Sequence, residues 1–190
     1  LHKAIRRQRQ MCIRDRNKYD MRLKTVLYPK VMFIENALKS YVIEALLADS
    51  KSENFDVIYN KSLTAYRNYT PGSRAYKTEH TKRMNLKGKI NAALVRDYNK
   101  RSVVAHFFNN DITIPVWAIF ETLALGEFGT LYDCACTNVK LYVSNIMKLP
   151  TNLDSDGMNT KFFIFTVKDL RNAIAVSYTH LRAHETCADL

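Results

Sequence analysis

Apolar residues return along this chain at helical spacing, and little in the sequence interrupts them. Val31, Ile34, Leu38, Val42 and Ala45 fall at i, i+3, i+7, i+11 and i+14, which is one stripe of an α-helix, with Glu35 and Lys39 outside it. Pro29 sits where it can start that helix or kink a longer one beginning near Tyr19. Only five Gly and four Pro punctuate 190 residues, so the pattern favours an all-α helical bundle over a sandwich or barrel. That length holds one domain with a real core and is short for two.

The same reading places further helices. Phe55, Ile58, Tyr59, Leu63 and Tyr66 give an inner face to a helix over 53–68, which "YTPGSRAY" then breaks at Pro71-Gly72. Met84, Leu86, Ile90, Leu94 and Tyr98 predict a helix over 78–101, with Gly88 weakening its middle. After the loop "NNDITIP", Pro115 opens a short helix, "PVWAIFETLAL"; Gly126 is expected to end it, and "GEFGTLYDCA" to be a tight break. "NVKLYVSNIMKL" is helical up to Pro150, and Thr160 is the expected N-cap of a last helix holding Phe163, Val167, Leu170 and Ile174.

Several functions find no support. No apolar run reaches the roughly 20 residues of a membrane span, and the basic start "LHKAIRRQRQMCIRDR" lacks the apolar stretch of a secretory signal, so a cytoplasmic protein with no membrane partner is expected. Cys12, Cys134, Cys136 and Cys187 form no zinc pattern; they are expected to be free thiols, and no metal or cofactor is implied. "NLDSDG" resembles the opening of a calcium loop, but it would start on Asn152 and put Phe163 at the bidentate position, so a helix-capping turn fits it better. In "RSVVAH", Arg101 and His106 diverge on a helix, and His106 is expected to be structural beside Phe107 and Phe108.

The net charge of +11 points toward a polyanion. Its densest stretch carries Lys77, Lys82, Arg83, Lys87, Lys89, Arg96, Lys100 and Arg101 against Glu79 and Asp97, with Tyr66, Tyr69 and Tyr76 just upstream. Such a cluster can neutralise phosphates and release their counterions, and tyrosines can stack unpaired bases, so these eight cations are the candidate RNA-binding residues. A solvated helix face with ordinary core tyrosines accounts for the same residues.

The ends differ from the body. "RQRQMCIRDR" and "VSYTHLRAHET" resemble translated library-adapter sequence, so residues 1–16 and 176–190 are expected to be extensions foreign to a natural domain over 17–175. Without them 22 basic and 15 acidic side chains remain, and the body keeps a charge of +7.

Inside the body, "DLRNAIA" is similar to the C-terminal signature of the AbiD/AbiF-type abortive-infection proteins of the HEPN superfamily, in which Asp-Leu-Arg-Asn is followed by small or apolar residues and then Ala-His. "YPKVMFIENALKSYVIEAL" resembles that family's long first helix, and "IPVWAIFETLALGEFGTLY" its Pro-x-Trp segment with a Glu and a Gly-containing break. The resemblance implies a HEPN-like helical bundle, a homodimer, and metal-independent RNA cleavage in antiphage defence. On this chain only Arg171, with Asn172 beside it, carries over as catalytic, because the position of the family's His is taken by Val176. As written the site is expected to be broken. An ion pair of Arg171 with Asp169 or Asp133 is the bland alternative. A second reading makes the chain a non-catalytic RNA-binding component of a toxin–antitoxin module, with a small RNA or a protein antitoxin as partner. A third is a protein-interaction bundle whose charge is incidental.

Overall fold

A computed structural model describes the backbone of residues 2–149, 154 and 156–185, and the side chains of 14–149, 154 and 156–175. The described residues form eight α-helices: α1 (His2–Ser50), α2 (Phe55–Lys61), α3 (Arg74–Tyr98), α4 (Ser102–Asn109), α5 (Val116–Thr122), α6 (Leu125–Cys134), α7 (Thr137–Ile146) and α8 (Met158–Glu185). Among them the only extended pairing is a single bridge between Asn54 and Pro115. The all-α expectation therefore holds. The chain divides into two compact units, Leu1–Glu35 with Asp169–Leu190, and Asn36–Lys168.

In the first unit α1 runs through Pro29 instead of starting there. Proline costs that helix one backbone donor, the one that would have met the carbonyl of Thr25. Val31 and Ile174 are buried in this unit as the spacing predicts. Glu35 is not outside the stripe as expected but 3 % exposed. A carboxylate is tolerated there because a guanidinium meets it, as described below.

The second unit holds most of the core. Leu38, Val42 and Leu46 of α1, Ile58 of α2, Leu86 and Ile90 of α3, and Ile119, Phe128, Leu131 and Ile164 are all but sealed from solvent. The helix over 53–68 is shorter than predicted, since α2 stops at Lys61 and a 3-10 turn over Ala65–Asn68 follows. Asn54 caps α2 by accepting from the amide of Asp56, and Ser73 caps α3 by accepting from that of Tyr76. This cap starts α3 before Thr78 and brings Arg74 and Lys77 onto the helix. Met84 is 58 % exposed, so it does not belong to the inner face.

Gly126 does not end α5. The chain turns at Leu123 and Ala124, and Gly126 is the second residue of α6, whose first turn is fixed by the Glu127 carboxylate accepting from the Ala124 amide. Gly129 matters within α6 for another reason: a Cβ there would meet the ring of Phe165 at 3.0 Å, so its absence lets α8 lie close.

The start of α8 also differs from expectation. Thr160 lies inside the helix, and Asp154 does the capping, accepting from the amides of Asn159 and Thr160 and from the hydroxyls of Ser144 and Thr160. Burial pushes the Asp154 carboxyl up, but these hydrogen bonds outweigh it and hold the group below its ordinary range. Gly157 turns the chain at φ +75°, where a Cβ would lie 2.8 Å from Lys140 and from the Tyr132 hydroxyl. The inner stripe of α8 is Thr160, Ile164 and Val167, continued in the first unit by Ile174, whereas Phe163 and Leu170 are each 41 % exposed.

Candidate functional site

Arg171 lies in the "DLRNAIA" segment of α8, and its Nε sits 3.2 Å from the Glu35 carboxylate of α1. The pair is asymmetric, with the carboxylate buried and 37 % of the arginine side chain open to solvent. The bland partners expected for Arg171 do not include this one, and Asp133 is engaged elsewhere. The pairing is a contact of opposite charges, and the solvent-facing part of the planar guanidinium offers N–H donors suited to a phosphate. Asn172 is exposed beside it.

One turn further along the same face of α8, Ile174 and Ala175 help line a cavity of about 490 Å³ with Lys24, Thr25, Tyr28 and Pro29 of α1. Lys24 is buried and ion-paired to Asp20. Arg171, Ile174 and Ala175 are spaced i, i+3 and i+4, so the guanidinium and the cavity share a face. The side chain at 176, where the family signature places His, lies outside the described residues.

The eight cations predicted to bind RNA separate into two groups. Arg83 is buried: its guanidinium lies 3.7 Å over the ring of Tyr59 and donates to the Tyr59 carbonyl at 2.8 Å. Lys87 approaches the same ring and pairs with Asp56. Arg96 and Arg101 both hold Asp97, and hydrogen bonding from Arg96 lowers that carboxyl below its ordinary range. Lys100, next to that clamp, is exposed.

Lys77, Lys82 and Lys89 instead line an open cleft of about 1050 Å³ between α3, α6 and α8. Arg74, Lys161 and Phe165 join them there, and sequence reasoning missed all three. Arg74 was lost with the misplaced start of α3. Lys161 and Phe165 are distant in sequence and only the packing of α8 brings them in. At the base of the cleft Asp133 accepts from Lys82 at 2.8 Å and pairs with Lys161 at 2.9 Å, while Lys82 also donates to Glu79. Burial raises the Asp133 carboxyl, yet the two ammonium groups more than compensate and hold it below its ordinary range. Burial likewise lowers Lys82, but its carboxylate partners outweigh that and raise it.

Of the tyrosines upstream, Tyr66 packs against Tyr76 and His80 at 5.4 Å and 4.6 Å, whereas Tyr69 is 44 % exposed. Arg101 is tied to Asp97 and His106 to Phe107 and Asn110, so these two residues form no joint site. Cys134 is pushed up to about 12 by burial and Cys136 is raised for the same reason, as inert thiols are. Cys12, Cys187 and, within "NLDSDG", residues 152, 153 and 155 lie outside the described side chains. Among the described residues no group of three His, Cys, Asp or Glu is placed to hold a metal, and no helix is long and apolar enough to cross a membrane.

Comparison with curated proteins and with solved structures returned no match. A sequence model of one family does match, over residues 10–177, taking in α2 to α7, most of α1 and the signature segment of α8. With that span covered, the chain belongs to the Abi-like protein family.

Proposed function

We propose that this protein is an abortive-infection defence protein that acts on RNA through a HEPN-type site centred on Arg171. The observation that carries the reading is the partly exposed guanidinium in the "DLRNAIA" helix, ion-paired to buried Glu35. In the chemistry implied by the resemblance, an RNA 2′-hydroxyl attacks the adjacent phosphorus and the 5′-oxygen leaves. An imidazole moves the protons, and the guanidinium stabilises the charge that grows on the phosphoryl oxygens. Arg171 suits the second role. Valine at 176 cannot perform the first, so this chain binds RNA without cutting it. One helix cannot bring Arg and His to a single phosphate at this spacing, so the working site is assembled by a homodimer.

The test is restoration. The chain carrying Val176→His, incubated with mixed RNAs in chelator, is expected to cleave, and adding Arg171→Ala is expected to reduce the rate at least about a hundredfold. Absence of cleavage by the restored, folded protein, or cleavage indifferent to Arg171, rules the enzymatic reading out.

A further inference from the structure

We propose that the cleft between α3, α6 and α8 is a binding site for single-stranded RNA, separate from Arg171, and that Asp133 occupies its central anion position when no strand is bound. The inference rests on the RNA reading above, and it names the form of RNA and the surface that takes it.

The cations are arranged for a backbone. Arg74, Lys77, Lys82 and Lys89 lie on one face of α3, and Lys161 faces them from α8. From Arg74 to Lys89 is about 22 Å along the helix, at 1.5 Å per residue, enough for a site of about four nucleotides, the low end of the range for single-strand grooves. Among the described residues Arg74, Lys77 and Lys89 have no carboxylate partner; the acids of the cleft serve Lys82 and Lys161. The outer cations are therefore available to phosphates while the inner two are held by Asp133.

The remaining lining distinguishes a nucleic acid strand from any other polyanion. Phe165, half-buried, presents an aromatic surface inside the cleft, and close contact with Gly129 keeps its ring in place. Thr81 and Asn85 add a hydroxyl and an amide that can donate to or accept from base edges and the 2′-hydroxyl, and Thr78 and Thr130, whose hydroxyls donate to the carbonyls of Arg74 and Gly126, can accept. An acidic peptide would satisfy the lysines but leave the ring and the amide unused. A duplex has its bases stacked internally and offers nothing to Phe165. Because Asp133 lies between Lys82 and Lys161, a phosphate entering there competes with a carboxylate already in place. Removing that negative charge should strengthen binding.

Binding of a labelled single-stranded RNA of about ten nucleotides to the full chain, followed by fluorescence anisotropy across a salt series, tests this. Lys77→Glu with Lys89→Glu is expected to weaken binding at least about tenfold and to flatten the log–log salt slope by about 1.4, from roughly 0.7 per lost phosphate contact. Phe165→Leu is expected to weaken it about tenfold with the slope unchanged, since stacking releases no counterion. Asp133→Asn is expected to tighten it about three- to tenfold. RNA binding that ignores the Lys77 and Lys89 substitutions overturns the cleft while leaving the Arg171 reading intact. Equal affinity for a duplex, or displacement of RNA by polyglutamate at matched charge, also overturns it. Binding that follows the cleft variants, together with a Val176→His protein that cuts nothing, upholds the cleft and defeats the Arg171 reading.

Discussion

Lys77 and Arg83 are cations on the same helix, and what surrounds each decides what its charge does. Arg83 points into the second unit, where Tyr59 supplies both a ring beneath the guanidinium and a carbonyl to receive its protons. Its charge is spent within the fold, tying α3 to α2. Lys77 faces the cleft with Arg74 and Lys89, and no carboxylate answers them among the described residues. A basic segment thus contributes to the outward field only where its helix turns away from the core. The difference lies in rotation about the α3 axis, which a count of lysines and arginines does not record.

The sharpest way to break this comparison is to truncate both residues. Arg83→Ala removes a stacked and hydrogen-bonded cation that is 8 % exposed and leaves the Tyr59 carbonyl without its donor. A loss of about 2–4 kcal/mol is expected in urea denaturation, with RNA affinity of the folded protein unchanged. Lys77→Ala should do the reverse, shifting stability by less than about 0.5 kcal/mol while weakening RNA binding. If the two variants behave alike, the division of α3 into an inward and an outward set is wrong.

A subtler contrast sets Asp133 against Asp97, since two cations hold each. The arginines around Asp97 are about half exposed, at 52 % and 47 %, and return to water easily when the carboxylate is removed. Asp97→Asn is expected to cost less than about 1 kcal/mol. The lysines on Asp133 are more enclosed, at 29 % and 25 %, so Asp133→Asn is expected to cost about 1–3 kcal/mol. Equal losses would mean that enclosure of the partners does not separate the two clamps.

Much of the helical skeleton was readable because apolar spacing survives in any single sequence, as Leu38, Val42, Ile58, Ile90 and Ile174 show by being buried where their stripes predicted. Boundaries fared worse where a cap outranked the pattern. Ser73 began α3 early, Asp154 displaced Thr160 as the cap of α8, and Glu127 made a helix start out of what Gly126 suggested was a helix end. The family segment around Arg171 was legible from its residues. Its partner Glu35 was not, because a glutamate at helical spacing from a lysine normally reads as solvent-facing, and only the packing within the first unit makes it the counter-ion of Arg171. The cleft was half legible for a related reason: Lys77, Lys82 and Lys89 are neighbours in sequence, whereas Asp133, Lys161 and Phe165 arrive from two other helices.

The smallest effect expected from these comparisons is in acid, and it isolates Asp133. Its folded carboxyl titrates below the ordinary value of 3.8, so the group contributes stability that is fully present above that value and is lost as pH falls through the lower folded value. Asp97 and Asp154 are lowered as well and follow the same course. The groups facing Asp133 are Lys82 and Lys161, with Glu79 and Lys140 nearby. Asp133→Asn carries no proton to gain there, so its stability should fall less steeply than that of the unsubstituted chain below pH 3.8, and the gap between the two should close as pH drops. Asp97 and Asp154 remain in both proteins and cancel in the difference. Urea midpoints measured between neutral pH and acid for the two chains give that gap directly, and a constant offset across the range would show that the lysine clamp on Asp133 contributes nothing to folding.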